Sequence, residues 1–262
     1  MSNIEAAFKK SKEKGTKAFI PFVTAGDPSL EATERFIHAL DVAGSDIIEI
    51  GIPFSDPIAD GPVIQRANIR AMQNGVTLDK VFDMVTRIRK TTKVPLGFLL
   101  YANTIYYYGI ETFFKKCQEV GIDAIIVPDM PLEEKEEFNV FAKACQVDII
   151  ALVAPTSKER IKAITKDATG FLYCVSSMGV TGTRDTIQTD LKAMFEYIDE
   201  YCKIPTALGF GISNKEQAKQ LKDYADGIIV GSAIVKIIEE YGEEAEEELI
   251  RFAEGMIKVL KA

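Results

Sequence analysis

Short apolar runs alternate with longer amphipathic stretches along the whole chain. Eight runs rich in Val, Ile, Leu, Phe and Ala are too short for buried helices, and they predict strands that are covered on both faces. The predicted strands are Ala18–Val23, Ile47–Ile50, Pro95–Leu100, Ala124–Val127, Asp148–Val153, Phe171–Val175, Thr206–Leu208 and Gly227–Val230. Helical periodicity follows each strand, and a further amphipathic helix, Ile4–Glu13, precedes the first one.

Helix start signals stand between the predicted strands and helices. Ser29, Thr77 and Asn214 are short polar residues that come directly before periodic apolar segments. Each of them predicts an N-cap, and Ser157 predicts another. Pro62 predicts the first turn of a further helix, because a backbone N–H is not needed at that position. Strands and helices therefore alternate as βα units.

The repeated βα unit predicts a parallel sheet with right-handed crossovers. Eight such units in 262 residues, with no linker or shift of composition between them, are typical of a closed (β/α)8 TIM barrel. We therefore expect a single domain over residues 1–262, with an extra N-terminal helix. The alternative is an open doubly wound sheet. The barrel is preferred because no strong dinucleotide fingerprint follows the first strand, and Gly209-Phe210-Gly211, after the seventh, lacks the third glycine.

Charge and the placement of cysteine and histidine argue against several classes of function. The formal net charge is −8 and no basic face is evident, so nucleic-acid binding is not expected. No run of 18 apolar residues and no signal-peptide pattern is found, so neither a membrane span nor export is expected. The four cysteines are scattered and His38 is the one histidine, which argues against a zinc site and favours a reducing cytoplasm.

The second predicted strand carries a carboxylate that its apolar neighbours do not explain. Glu49 interrupts a run of isoleucines, and a buried ionised carboxylate is costly unless it is paired or hydrogen-bonded. The strand ends in a proline-stiffened loop that contains Asp56 and Asp60. Pairing of Glu49 with a lysine or an arginine is the structural alternative. An acid next to a rigid acidic loop instead predicts an acid–base site at the carboxyl ends of the barrel strands.

Glycines at the ends of the last two strands predict a phosphate site. Backbone N–H groups near Gly209–Gly211 and Gly231 could approach an anion, and the helix predicted after Ser232 would point its positive end at it. The alternative is that these glycines only permit tight turns. The loop Gly179–Gly182 could close over the same anion, or it could be an ordinary surface loop.

Other common barrel chemistries lack the residues they require. No lysine stands at the carboxyl end of a predicted strand for a Schiff base, no histidine is placed to bind a metal, and no Ser–His pair is available. Acid–base work by carboxylates in an apolar pocket remains. The candidate walls of that pocket are Phe22, Leu99, Leu100, Tyr173 and Phe210. A substrate with an aromatic ring and a phosphorylated tail would suit this site.

Four motifs together resemble those of the tryptophan synthase alpha subunit. They are Pro21–Pro28, Glu49–Pro62, Gly179–Gly182 and Gly209–Ile212, and they occur in order over nearly the whole chain. The second motif alone is long enough to be highly specific. The resemblance implies a lyase that cleaves indole-3-glycerol phosphate to indole and glyceraldehyde 3-phosphate by a retro-aldol reaction, as part of tryptophan biosynthesis.

The resemblance also implies a role for individual residues. Glu49 would protonate the indole ring at C3 and take the hydroxyl proton, while Asp60 would hold the indole N–H and stabilise positive charge on the ring. Thr181 would pack against Asp60 when its loop closes. The indole slot would be lined by Phe22, Leu99, Ile126 and Tyr173. The phosphate would be held by Gly182, Phe210, Gly211, Gly231 and Ser232.

The implied partner is a beta subunit in an α2β2 complex. That subunit uses pyridoxal phosphate to join indole to serine, whereas the alpha chain itself is expected to need no cofactor and no metal. Pro53–Pro57 and Pro128–Pro131 are candidate docking surfaces. Two other functions stay open from the residues alone: an isomerase that acts on a phosphorylated sugar, and a non-catalytic subunit that activates a partner.

Overall fold

Eight parallel strands form a closed barrel in the computed structural model. The structure describes residues 1–175, 184–209 and 211–261, without the side chains of residues 158, 159 and 184–190. The strands are β1 Ala18–Thr24, β2 Ile48–Gly51, β3 Leu96–Leu99, β4 Ala124–Ile126, β5 Asp148–Val153, β6 Leu172–Val175, β7 Thr206–Gly209 and β8 Gly227–Val230. Each strand pairs with the next one along the chain, and β8 pairs with β1. The predicted barrel is confirmed and the open sheet is excluded.

Helices surround the barrel and fill the connections between its strands. They are α1 Asn3–Glu13, α2 Leu30–Val42, α3 Pro62–Gln73, α4 Leu78–Ile88, α5 Ala102–Tyr108, α6 Ile110–Val120, α7 Lys135–Ala144, α8 Ile161–Thr165, α9 Arg184–Tyr201, α10 Lys215–Leu221, α11 Ser232–Tyr241 and α12 Glu246–Leu260. Within residues 1–175, 184–209 and 211–261, none of the helices is both long and apolar enough to cross a bilayer.

Three of the four predicted N-caps are confirmed. The side chains of Ser29, Thr77 and Asn214 each accept a hydrogen bond from the backbone N–H three residues further along. The prediction for Ser157 is wrong, because the chain turns already at Pro155 into a 3-10 segment, Pro155–Arg160. The Ser157 hydroxyl lies inside that turn and accepts the N–H of the residue three positions before it, at 3.2 Å.

Helix α1 closes the barrel at the amino-terminal ends of its strands. The Phe8 ring packs on Phe171 with centroids 5.4 Å apart. A Cβ atom on Gly227 would lie only 2.9 Å from Phe8, so this glycine makes room for the ring. The Ser11 hydroxyl donates to Asp46 at 2.8 Å and ties the helix to the barrel. With this end filled, the open mouth of the barrel lies at the carboxyl ends of the strands.

The strands separate two apolar layers because successive side chains point to opposite faces. Ile48 and Ile50 belong to the large cluster between the strands and the helices, while Ile47 belongs to the cluster inside the barrel. Glu49 lies between the two outward-facing isoleucines, so its side chain points into the barrel. The register places it beside Phe22 on β1.

Gly51 makes room for the ring of Phe22 above Glu49. A Cβ atom at position 51 would lie 2.4 Å from Cζ of Phe22, inside any normal contact distance. We expect Gly51→Ala to lower the free energy of unfolding by roughly 1–3 kcal/mol, because the ring must leave its place in a packed core. Urea unfolding measures this change, with Gly61→Ala as the control, since nothing lies within 4 Å of a Cβ atom there. Equal stability of the two variants would contradict this packing.

Candidate active site

The Glu49 carboxyl lies inside the barrel without a visible partner. The residue is 1% exposed, and neither carboxylate oxygen has a hydrogen-bond partner in the part of the chain that the structure describes. No lysine or arginine pairs with it there, so the structural alternative of a salt bridge finds no support in the described residues. Burial raises the pKa of Glu49 to about 8. The carboxyl is therefore mostly protonated at neutral pH, and it can both give and retake a proton near that pH.

Tyr173 on β6 faces the same interior. The residue is 4% exposed, and burial together with the charge of Glu49 raises the pKa of its hydroxyl well above the ordinary range. A Cβ atom on Gly209 would lie 2.7 Å from the Tyr173 hydroxyl oxygen, so this glycine leaves the space that the tyrosine fills. Tyr173 is a neutral hydroxyl on an aromatic wall, and Gly209 contributes by having no side chain.

Three more predicted wall residues come together near Glu49. Phe22 is 6% exposed and is backed by the helix residues Ala67 and Val235. Leu99 contacts both the Phe22 cluster and the cluster inside the barrel, and Ile126 belongs to the interior cluster. These residues make an apolar slot that could hold a flat ring.

Leu100 does not belong to that slot. It is fully buried in the cluster between strands and helices, whereas its neighbour Leu99 packs with the interior cluster. The prediction that both residues line the pocket is wrong, because the alternation of a strand sends neighbouring side chains to opposite faces.

Asp60 lies at the mouth of the barrel, directly before α3. Nδ2 of Asn68 donates to its carboxylate at 3.1 Å, and the hydroxyl of Tyr101 is a second polar group that acts on it. Burial raises the pKa of Asp60, while Asn68 and Tyr101 act against that shift. The two donors therefore favour the charged form of a half-buried carboxylate.

Tyr101 is held on several sides. The backbone N–H of Ala59 donates to its hydroxyl at 3.0 Å, and the ring stacks on Phe54 with centroids 5.0 Å apart. Asp129 fixes the backbone next to it by accepting the N–H of Ala102 at 2.9 Å. Burial raises the pKa of Tyr101 to about 12, so its hydroxyl keeps its proton and can donate to an acceptor.

Tyr101 and Asn68 were not predicted to contact Asp60. Tyr101 does stand at the end of β3, which is where barrel enzymes place functional groups, and that position was a usable signal. Asn68 lies in the middle of α3, and its sequence position gives no comparable hint. It is one of the few buried polar residues of the described chain.

The start of α11 is suited to an anion. Its N-cap, Gly231, makes no side-chain cap hydrogen bond, and its first turn has no acidic residue. The first backbone N–H groups of the helix, from Ser232 onward, therefore face an open end with positive polarity. A Cβ atom on Gly231 would lie 3.6 Å from Cβ of Phe22, so this end adjoins the apolar slot. Gly211, after β7, has a φ of +82°, which suits glycine.

Three predicted site residues lie outside the residues that the structure describes. They are Thr181 and Gly182, with the rest of the loop Gly179–Gly182, and Phe210. Their roles stay predictions. Within the described ranges, no group of three or more His, Cys, Asp or Glu side chains could hold a metal ion.

The chain has clear counterparts among known proteins. A relative from Alkaliphilus metalliredigens (strain QYMF), a tryptophan synthase alpha chain, is 49% identical over 239 residues, which cover 91% of this chain and 90% of the relative. The tryptophan synthase alpha chain of Thermoanaerobacter sp. (strain X514) is 47% identical and covers 99% of this chain and 100% of the relative.

Solved structures agree with the sequence comparison. The crystal structure of tryptophan synthase subunit alpha from Legionella pneumophila str. Paris superimposes with a TM-score of 0.91 at 35% identity, covering 99% of this chain and 98% of the other. A chain of the tryptophan synthase α2β2 complex from Pyrococcus furiosus gives a TM-score of 0.86 at 39% identity, covering 93% and 99%. The sequence model for "Tryptophan synthase alpha chain" matches residues 8–261. The chain belongs to the tryptophan synthase alpha chain family.

Proposed function

We propose that this chain cleaves indole-3-glycerol phosphate to indole and glyceraldehyde 3-phosphate. The observation that supports this most directly is the buried Glu49 carboxyl, which has no partner in the described residues, has a raised pKa and lies in an apolar slot. An aromatic ring in that slot would meet a proton donor on the wall of the barrel. The open start of α11 lies on the other side of Phe22, where a phosphorylated tail would end.

Glu49 can supply both proton transfers of the reaction. The protonated carboxyl gives its proton to C3 of the indole ring, which converts the ring to a cationic indolenine. The resulting carboxylate then takes the proton of the hydroxyl on the adjacent side-chain carbon. As that oxygen forms a carbonyl, the bond from this carbon to C3 breaks and its electron pair returns to the ring. The carboxyl ends protonated, as it began, and no net proton is consumed.

Asp60 can stabilise the charge that develops on the ring. Protonation at C3 leaves positive charge at the indole nitrogen, and a carboxylate that accepts the N–H is a fixed counter-charge for it. Asn68 donates to the Asp60 carboxylate and Tyr101 favours its charged form, so little reorganisation is needed when the charge appears. Thr181 is proposed to pack against Asp60 from the loop Gly179–Gly182.

The remaining site residues are proposed to bind the two ends of the substrate. Phe22, Leu99, Ile126 and Tyr173 would line the ring slot. The phosphate would be held by backbone N–H groups at the ends of β7 and β8 and at the start of α11, with Ser232 adding a hydroxyl. The residues of this phosphate site are Gly182, Phe210, Gly211, Gly231 and Ser232.

We propose that the chain works in the cytoplasm as a single catalytic domain, with a beta subunit in an α2β2 heterotetramer. The relative from Pyrococcus furiosus belongs to such a complex. The loops Pro53–Pro57 and Pro128–Pro131 are the proposed docking surfaces. Ile58, directly after the first loop, is 80% accessible, and Tyr107 on α5 is 94% accessible. Apolar groups of this size suit a protein interface. Pyridoxal phosphate is proposed to act only in the beta subunit, and this chain is proposed to need no cofactor.

Indole release from indole-3-glycerol phosphate tests the proposed activity. The chain is incubated with the substrate alone and with a beta subunit, and indole is measured. The proposal expects indole and glyceraldehyde 3-phosphate in equal amounts. Absence of indole in both conditions would exclude the lyase and favour the isomerase, which a phosphorylated sugar substrate would then reveal. Activation of the beta subunit without any indole release would instead indicate a non-catalytic subunit.

The pH dependence of kcat/KM should reflect the two carboxyl groups of the free enzyme. Glu49 must be protonated for the first step, so kcat/KM is expected to fall as pH rises through about 8. Asp60 must be ionised, so kcat/KM is expected to fall on the acid side, above the ordinary aspartate range because burial raises the pKa of Asp60. Initial rates at low substrate from pH 5 to 10 measure both limits. A profile that stays flat up to pH 10 would contradict the assignment of Glu49.

Tyr101→Phe should act through Asp60. The variant removes a hydroxyl that lowers the pKa of Asp60, so that pKa should rise further and the acid limit of kcat/KM should move to higher pH. Loss of this favourable interaction with the charged carboxylate is expected to cost roughly tenfold in kcat/KM at neutral pH. The control is Tyr108→Phe. This variant removes a hydroxyl that donates to Asp79, at 2.6 Å, and not to Asp60. An unchanged acid limit in Tyr101→Phe would refute the coupling.

A further inference from the structure

A chain of ion pairs joins three elements at the mouth of the barrel. Asp27, which follows β1 and is 1% exposed, accepts both Nε and Nη2 of Arg70, at 2.7 and 2.8 Å. Nη1 of the same arginine donates to Glu239 at 2.9 Å. Glu239 also receives Nε and Nη2 of Arg66, at 2.7 and 2.9 Å. The loop after β1, helix α3 and helix α11 are therefore connected through one arginine, Arg70.

Helix α3 carries the support of Asp60. Nδ2 of Asn68 donates to the Asp60 carboxylate at 3.1 Å, and Nε2 of Gln65 donates to the Asp60 backbone carbonyl at 2.8 Å. Arg66 and Arg70 are four residues apart, so they project from one face of the same helix toward Glu239. A shift of α3 would therefore move both the ion-pair network and the carboxylate that faces the ring.

Helix α11 carries the other end of the site. Its first residue is Ser232, and Glu239 follows seven residues later, about two helical turns or roughly 10 Å along the axis. Between the two helices, the fully buried side chains of Ala67 and Val235 pack behind Phe22. The contacts at Glu239 and under Phe22 thus fix α11 against α3 at two separate points.

We propose that Arg70 is a positioning residue that sets the distance between the ring end and the phosphate end of the active site. This proposal rests on the proposed function, because it concerns a substrate that spans both ends of the site. Arg70 touches neither end itself and acts through Asp27, Glu239 and the helices that they hold. Its planar fork suits this task, since two parallel hydrogen bonds to Asp27 fix orientation as well as distance.

Glu239 and Arg70 stay charged throughout the pH range in which the enzyme would be assayed. Hydrogen bonds from Arg66, and then from Arg70, lower the pKa of Glu239 to about 2. The hydrogen bonds that Arg70 donates to Asp27 and Glu239 raise the pKa of Arg70, with burial acting in the opposite direction. The contact between Arg70 and Glu239 should therefore not change between pH 5 and 10, and its effect can be separated from the titration of Glu49.

Binding of ligand fragments tests the spacing directly. Calorimetry would compare indole, which fills only the ring end, glyceraldehyde 3-phosphate, which fills only the phosphate end, and an indole joined to phosphate by a propyl chain, which spans both and cannot be cleaved. The variants are Arg70→Lys, which keeps the charge but loses the fork, and Glu239→Gln, which weakens the link to α11. Misplacement by about 1 Å can cost as much as 10²-fold in rate, so kcat for indole release is expected to fall roughly 10- to 100-fold in Arg70→Lys.

The expected pattern separates positioning from simple loss of structure. In Arg70→Lys both fragments should bind within about twofold of the wild type, while the linked ligand should bind at least about tenfold more weakly, because its two ends can no longer fit at once. Glu239→Gln should show the same pattern with smaller changes. Arg35→Gln is the matched control. Arg35 lies on α2, away from the site, and it also bridges two carboxylates, those of Glu243 and Glu246. This variant should behave as the wild type.

Two results would overturn the proposal. In one, Arg70→Lys, folded by circular dichroism, binds the linked ligand and releases indole as the wild type does. In the other, all three ligands weaken by the same factor, which indicates general destabilisation. The proposed function is judged separately on the wild type: if the wild type neither binds the linked ligand nor releases indole, both proposals fail, whereas an active wild type with an indifferent Arg70→Lys removes only this one.

Discussion

Glu49→Gln is expected to reduce kcat for indole release by roughly 10²- to 10⁴-fold, while the substrate is still bound. Glutamine has nearly the same shape, so the apolar slot and Phe22 should keep their places. It can neither give a proton to C3 of the ring nor take the hydroxyl proton, and both steps are assigned to this one group. Steady-state kinetics with indole-3-glycerol phosphate measure the effect. Full activity of Glu49→Gln would show that another group carries the proton.

The same substitution should also change stability, in a direction that depends on pH. Burial raises the pKa of Glu49 to about 8 from its ordinary value of about 4.3, so between these values the folded protein holds a proton that the unfolded chain releases. The stability that the protonated Glu49 contributes is therefore fully present below about pH 4.3 and is lost as pH rises through about 8. Glutamine has no such charge to bury. The free energy of unfolding of the variant should therefore rise relative to that of the wild type as pH increases through this window, and the difference should be on the order of 5 kcal/mol at pH 9.

Urea unfolding of both proteins at pH 5 and pH 9 would measure that gain. The difference in unfolding free energy between variant and wild type should be small at pH 5 and should favour the variant at pH 9. Such a result would show an active site that is kept at a cost to the fold, as is common for catalytic groups. A difference that does not change with pH would show that the Glu49 carboxyl is solvated or paired, contrary to its burial in the barrel.

Asp60→Asn is expected to lower kcat by roughly 10²- to 10³-fold with only a modest change in KM. The amide can still accept the indole N–H, so the ground state should bind much as before. It carries no charge, so the positive charge that develops after protonation at C3 loses its counter-charge. The loss should therefore appear in turnover, measured by initial rates at saturating substrate.

Asp56→Asn is the matched control for Asp60→Asn. Asp56 lies in the same proline-stiffened loop, but it is exposed and its carboxylate contacts the hydroxyl of Ser55 at the surface. In assays of the alpha chain alone, Asp56→Asn should have kcat and KM close to those of the wild type. Equal losses in the two variants would indicate an effect of the loop, and unchanged turnover in Asp60→Asn would remove Asp60 from the mechanism.

The barrel could be predicted because its local signals agree with one another. Apolar runs of strand length, N-cap residues such as Ser29 and Thr77, and a proline at the first position of α3 each depend on neighbouring residues only. Glu49 could also be identified from its neighbours alone, because its charge conflicts with the isoleucines around it. Conflicts of this kind between a residue and its local pattern are expected at functional sites.

Other parts of the site depend on contacts that local patterns do not contain. The contact of Asn68 with Asp60 spans 8 positions of the chain, and the pairing of Asp27 with Arg70 joins residues 43 positions apart. From the sequence, Gly51 only indicates the end of a strand. The structure shows that the ring of Phe22 occupies the space that a side chain at position 51 would need. The failure at Ser157 has a similar origin, since a cap and a residue inside a 3-10 turn share one sequence signal.

A pH titration of the Glu49 carboxyl in the free protein tests the central claim most directly. The protein would be labelled with 13C at glutamate side-chain carboxyls, and the signal that disappears in Glu49→Gln would be followed by NMR from pH 4 to 10. We predict a midpoint near pH 8, since the carboxyl is buried away from water. A midpoint near the ordinary glutamate value, about 4.3, would mean that Glu49 is already ionised at neutral pH and cannot be the acid that protonates the ring.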